Sequence, residues 1–192
     1  MAQRALVLGL FALATFVGPA SFALAQTIDT TADIVRQLKG LQAAPDVDVA
    51  VLRQQAADRI KSRLDAVALK RPPLSRELNR LPHIDVAIQF NPDTPVIRPE
   101  SYALLGRIAD ALYNPALMSS AFLIVGRTET GKRDYNLTLS QRRAEAIRDA
   151  LVTTFKVSSK RLMAVGLGEE QLLDAEHPKA AVNQQALIVT VR

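Results

Sequence analysis

The chain has 192 residues, 48% of them hydrophobic and 22% charged, with a formal net charge of +5. That length and balance fit one globular domain with appendages. The absence of cysteine excludes disulfides, a lipid-modified N-terminal Cys, thiol catalysis and thiolate metal sites. Aromatic residues are scarce, at 5% with no Trp, so the core is expected to be aliphatic.

The N-terminus reads as a secretory signal peptide over residues 1–25. Met1–Arg4 carries one positive charge, an uncharged apolar run follows from Ala5 to Gly18, and Ala23-Leu24-Ala25 fits small-x-small cleavage. The protein is therefore expected to be exported. Behind an export signal, a basic chain suits cell-wall carboxylates or anionic lipid head groups better than nucleic acid; the other reading is a solvated basic surface.

Residues 26–80 read as an N-terminal helical segment and basic linker. Thr27–Leu41 holds a short helix carrying Ile34, Val35 and Leu38. Residues 48–69 repeat apolar positions at Leu52, Ala56, Ile60, Leu64 and Val67, the rhythm of an amphipathic helix. From Arg53 to Arg80 there are eight basic residues against three acidic ones, and Pro72-Pro73 ends the helix. This stretch is either an electrostatic arm toward an anionic partner or a solvated helix face and linker.

The compact domain is placed at 81–192. Ile84, Val86, Ile88 and Phe90 alternate with Asp85, Ala87 and Gln89, which predicts a half-buried strand over 83–90. Asn91–Pro95 interrupts it. Pro99 opens a helix carrying Tyr102, Leu105, Ile108, Ala109 and Leu112. A strand over 121–127, a helix from Asp134 to Phe155, a strand over 161–165 and a terminal strand over 185–191 complete the pattern. The fold class is an α/β sandwich, β-α-β-α-β-β, with helices packed on one face of a mixed sheet.

Two features stand out chemically. Gly126, Gly131, Gly166 and Gly168 lie just past two strand ends, where glycine admits a ligand, a close backbone or an ordinary turn. On the second helix Leu139, Ala146, Ile147 and Ala150 make one apolar stripe, and Arg143 falls in its middle with Asn136 on the same face. A guanidinium in an apolar stripe needs an anion. That anion is either internal, from Glu129, Asp93 or Asp134, or a ligand carboxylate.

Gly126-Arg127-Thr128-Glu129, Gly131, Tyr135-Asn136, Leu139-Ser140 and Arg143-Ala144 resemble the signature of the OmpA-like peptidoglycan-binding domain. Gly166-Leu167-Gly168-Glu169 and Ala181-Val182-Asn183 resemble two further family segments, so the resemblance covers about 83–192. It implies a non-catalytic module that binds the diaminopimelate of peptidoglycan stem peptides non-covalently. An acid takes the ligand ammonium; Arg143, helped by Asn136, takes the carboxylate through charge-assisted bonds, one potentially a bidentate fork. The ligand-binding residues it implies are Arg143, Asn136, Glu129, Thr128, Asp93 and Leu139. The chain departs from the family pattern at Arg127 (usually His), Glu129 (usually Asp), a turn one residue shorter, and Gln184-Gln185 in place of an Arg pair. The alternative is an interaction module of the same fold, with lost or altered wall binding, that contacts another envelope protein or anionic lipid through its basic N-terminal segment.

Nothing points to an enzyme. His83 starts a strand, His177 precedes a proline, and Glu169-Glu170 reads as a solvated loop pair. No phosphate loop, nucleophile elbow or metal-ligand spacing is present, so no catalytic residue, metal or cofactor is expected.

Overall fold

The computed structural model describes residues 30–40, 47–62, 78, 80–128, 132–169, 176–177 and 180–191, with the backbone alone at 59–62, 133, 181 and 182. The signal peptide, the proline linker through Glu77, Glu129 and Gly131, and Glu170 with most of the loop after it lie outside the described residues.

Helix α1 spans Thr31–Leu38. Thr30 caps it, its side-chain oxygen accepting the Asp33 amide at 3.1 Å, and the acid in the first turn complements the helix dipole. Ile34 and Leu38, four residues apart, are its two buried positions. Helix α2 spans Val49–Ser62, and the Asp48 carboxylate accepts the amides of Ala50 and Val51 at 2.8 and 3.2 Å.

The alternating pattern then appears as expected. Strand β1 is His83–Val86, helix α3 Tyr102–Leu112, strand β2 Ala121–Gly126, helix α4 Arg133–Thr153, strand β3 Leu162–Gly166 and strand β4 Ala186–Val191. The sheet order is β1-β4-β2-β3. Strand β4 runs antiparallel to both β1 and β2, whereas β2 and β3 are parallel across the α4 crossover, so the sheet is mixed.

Strand β1 is shorter than the alternation suggests. Its ladder with β4 stops at Val86 opposite Ala186, the first residue of β4. Beyond Gln89 the chain pairs with itself: Asn91 N–H donates to Val96 O and Arg98 N–H to Gln89 O, both at 2.9 Å, around a Phe90–Ile97 bridge. Ile88 stays buried, so the side-chain alternation outlasts the ladder. On α3 the apolar face begins at Leu105; Tyr102, the first helical residue, is exposed.

Side-chain alternation sorts the core into two layers. Ile84, Val86, Phe122, Ile124, Ala164 and Ile188 face α1, α3 and α4. Leu123, Val125, Val165, Leu187 and Val189 face the other way, against Leu52 and Ala56 of α2 and against Leu78. The helices of the repeating pattern thus share one face. The N-terminal segment supplies what the periodicity did not show, one helix on that face and one on the other. Thr190 Oγ1 donates to Leu38 O at 2.8 Å and ties α1 to the sheet.

Helix α4 lies on the ends of β2 and β3. A Cβ on Gly126 would sit 2.1 Å from Ser140 O, and one on Gly166 would sit 2.1 Å from Gln141 N. These glycines make room for a helix backbone, not for a ligand. Replacing Gly126 by Ala pushes α4 off the strand end; we expect a loss of about 2–3 kcal/mol in chemical denaturation, because the obstructing atom is backbone and has no rotamer to escape into.

Candidate functional site

Arg143 projects from the middle of α4 and is 7% exposed. Three separate parts of the chain converge on its guanidinium. From the turn after β1, Thr94 O accepts from Nε at 3.1 Å. From the end of β2, Thr128 Oγ1 accepts from Nη1 at 3.1 Å. From the turn before β4, Gln184 Oε1 accepts from the same Nη1 at 3.0 Å. Thr128 Oγ1 also donates to Gln184 Oε1 at 3.1 Å, closing a triangle with Nη1. The guanidinium carbon stands 4.8 Å from the centre of the Phe90 ring, within cation–π range.

Every acceptor in this cradle is neutral. Among the described residues Arg143 forms no ion pair. Burial pushes its proton affinity below the ordinary arginine value, while the nearby Asp93 carboxylate and then Tyr135 oppose that shift. The group remains a cation. Nη2 makes no hydrogen bond among the described residues. It is also not one of the sealed, unpartnered side-chain nitrogens among the described residues, which are Arg107 Nε, Arg127 Nε and Arg127 Nη1. The result is an oriented, largely desolvated cation with one nitrogen open.

The turn that carries Thr94 is tightly built. Thr94 N–H and Oγ1–H both donate to Asn91 O at 3.1 Å, and Thr94 Oγ1 accepts from Val96 N–H at 3.2 Å. Asp93 takes a left-handed conformation with φ 53°, which aspartate tolerates better than most residues. Its carbonyl accepts from the Tyr135 hydroxyl of α4 at 3.0 Å, and the residue itself is exposed.

The residues expected from the sequence are only partly brought together. Arg143 and Thr128 are in direct contact, and the Asp93 charge acts on Arg143. Asn136 is fully buried and its Nδ2 donates to Glu169 Oε2 at 3.1 Å, tying α4 to the turn after β3. Leu139 is buried beside it on the helix. Glu129 lies outside the described residues. Of the two alternatives for the anion of Arg143, an internal carboxylate or a ligand's, no internal one is in place among the described residues: neutral oxygens hold the guanidinium, and Asp134 is exposed, its backbone oxygen accepting from Thr138 Oγ1. Nε and Nη1 are already committed, and Nη2 is the guanidinium nitrogen left without a hydrogen bond among the described residues. Gln184, Thr94 and Phe90 were not among the expected site residues. Gln184 was visible only as a departure from the family pattern, and Thr94 acts through its backbone, which no side-chain signal reports.

Arg127 does not enter this pocket. It is 2% exposed, and its Nη2 donates to the Asp85 carboxylate of β1, a bond that reaches past β4. Its other two guanidinium nitrogens are sealed without partners. Elsewhere, His83 Nδ1 lies 2.7 Å from Leu81 O, and no group of three or more metal-capable side chains occurs among the described residues. No described helix is long and apolar enough to cross a membrane.

The OmpA family model matches residues 89–185, which contain the Arg143 cradle entire. Outer membrane porin F of Pseudomonas aeruginosa is 34% identical over 89 residues, covering 46% of this chain and 25% of that protein. The chain thus matches about a quarter of the length of this curated relative. Among solved structures, the peptidoglycan-associated lipoprotein from Burkholderia pseudomallei is 34% identical over 54% of this chain and 87% of that one, with a TM-score of 0.46. The OmpA-like domain of FopA1 from Francisella tularensis is 19% identical over 57% of this chain and 71% of that one, with a TM-score of 0.49.

The Arg127–Asp85 pair separates structure from function. Asp85→Ala leaves a sealed guanidinium with no anion, and we expect a loss of about 3 kcal/mol in denaturant titration. The double substitution Arg127→Met with Asp85→Asn removes both charges and the sealed donors, and is expected to be neutral or stabilising.

Proposed function

The chain belongs to the OmpA family, and from that premise we propose that it is a non-catalytic envelope module that binds peptidoglycan non-covalently. The observation that carries this reading is Arg143: buried, oriented by three neutral acceptors, and left with Nη2 open. Burying a cation without a counterion costs free energy that an arriving carboxylate recovers through a charge-assisted bond. The ligand carboxylate is that of a stem-peptide diaminopimelate. Its ammonium goes to an acid on the rim, for which the exposed Asp93 is the described candidate and Glu129 the candidate implied by the family pattern. In this reading the protein is exported and works in the periplasm against the cell wall. The partner is the wall itself.

Sedimentation with purified sacculi tests the proposal. Wild-type protein is expected to pellet and Arg143→Ala to stay in the supernatant. Gln184→Glu places an internal carboxylate on Nη1; wall binding is expected to fall about tenfold or more while thermal stability holds or rises, since the buried cation gains a permanent partner. Undiminished pelleting of Arg143→Ala would sink the proposal.

A further inference from the structure

We infer that Tyr135 is a positioning residue for the Arg143 clamp, acting through one hydrogen bond that sets both the cationic and the acidic side of the site; this rests on the wall-binding reading above. Three contacts in series carry the inference. The Tyr135 hydroxyl donates to Asp93 O at 3.0 Å. Asp93 holds φ 53°, a conformation aspartate tolerates but that still costs energy relative to right-handed φ, so its contacts decide whether it is kept. The next residue, Thr94, offers its carbonyl to Arg143 Nε at 3.1 Å. Tyr135 and Arg143 stand two turns apart on one helix, so the helix grips the turn twice, once by the phenol and once by the guanidinium.

The consequence is geometric. Without the phenol bond, the left-handed φ of Asp93 is held only by the bonds of Thr94 to Asn91 and Val96, and the turn loosens toward right-handed φ. That relaxation swings the Thr94 carbonyl away from Nε and moves the Asp93 carboxylate relative to Arg143. Nη2 then loses its fixed aim, because one of the two nitrogens that orient the guanidinium plane is released. Tyr135 is 42% exposed, so its removal from the contact leaves little core packing behind to confuse the result. The tyrosine does not need to touch the ligand. It sets where the ligand's two charges must sit.

The test is Tyr135→Phe, which keeps the ring and deletes the hydroxyl. In the ligand-free protein the Arg143 Nε–H signal is followed by nitrogen-15 NMR; its exchange with water is expected to accelerate several-fold in the variant while the thermal midpoint stays near wild type. Calorimetric titration with meso-diaminopimelate is expected to show affinity about 3- to 10-fold weaker, the range of one lost hydrogen bond. Asp93→Asn keeps the carbonyl and the tolerance for left-handed φ, so it should leave the Nε–H protected and lose affinity through the missing charge alone. Unchanged Nε–H exchange in Tyr135→Phe overturns the tether, whether or not affinity falls, because a fall with Nε–H still protected means that the phenol meets the ligand directly. A wild-type protein that binds no diaminopimelate overturns the wall-binding reading instead; the exchange measurement, made without ligand, still decides the tether.

Discussion

Gly126 and Gly166 let the backbone of α4 rest directly on the ends of β2 and β3, and the candidate site follows from that approach. Once the helix lies there, Ser140 Oγ accepts the Gly168 amide at 2.9 Å and Gln141 Oε1 accepts the Gly166 amide at 2.7 Å, so the turn after β3 is stitched to the helix. Arg143, one turn further on, is carried over the end of β2 to the Thr128 hydroxyl. The same approach seals the outer edge of β3. Arg148 donates to Leu162 O at 3.0 Å and Arg53 of α2 donates to Ala164 O at 2.7 Å, so side chains occupy backbone groups that an exposed edge strand would offer to another chain.

The electrostatic consequence is a contrast between two buried arginines, Arg127 just past the end of β2 and Arg143 on α4. Arg127 has a carboxylate, Asp85, and two sealed donors with nothing to meet. Arg143 has neutral oxygens on Nε and Nη1 and an open Nη2. The first is a closed structural pair whose charge is spent within the fold. The second keeps its charge available, and neutral acceptors are what make that possible: they fix the plane of the guanidinium without cancelling its field. A carboxylate at Gln184 would fix it equally well and remove the reason for a ligand to bind.

Much of the domain was legible because its strands obey a period of two and its helices a period near four. The run from Ala186 to Val191 is buried at every position, as befits a central strand with a layer on each side; the sequence showed it only as a terminal strand, since its place in the sheet depends on pairing with distant strands. The N-terminal helices were legible as helices but not by face, since which side of the sheet a helix covers depends on where the chain leads it. Arg143 stood out on the helical wheel because it interrupts an apolar stripe. Its partners did not, because Thr94 contributes a carbonyl and Gln184 arrives from 41 residues away in sequence. Arg127 was misleading at the sequence level: it sits inside the signature motif, yet its side chain leaves the pocket for Asp85. Arg161 was equally silent, although it gathers the carbonyls of Leu112, Leu117 and Ser120 at 3.0, 2.6 and 2.9 Å and so closes the end of α3.

In the proposed wall-binding role, Arg143 takes a carboxylate at Nη2 without surrendering its neutral partners. A crystal structure of the protein soaked with meso-diaminopimelate tests it most directly. The expected result is a ligand carboxylate oxygen within hydrogen-bond distance of Nη2, with Nε still on the Thr94 carbonyl and Nη1 still between Thr128 and Gln184. A carboxylate bound elsewhere, or an Arg143 whose Nη2 is already held by an acid of the chain itself, would contradict it.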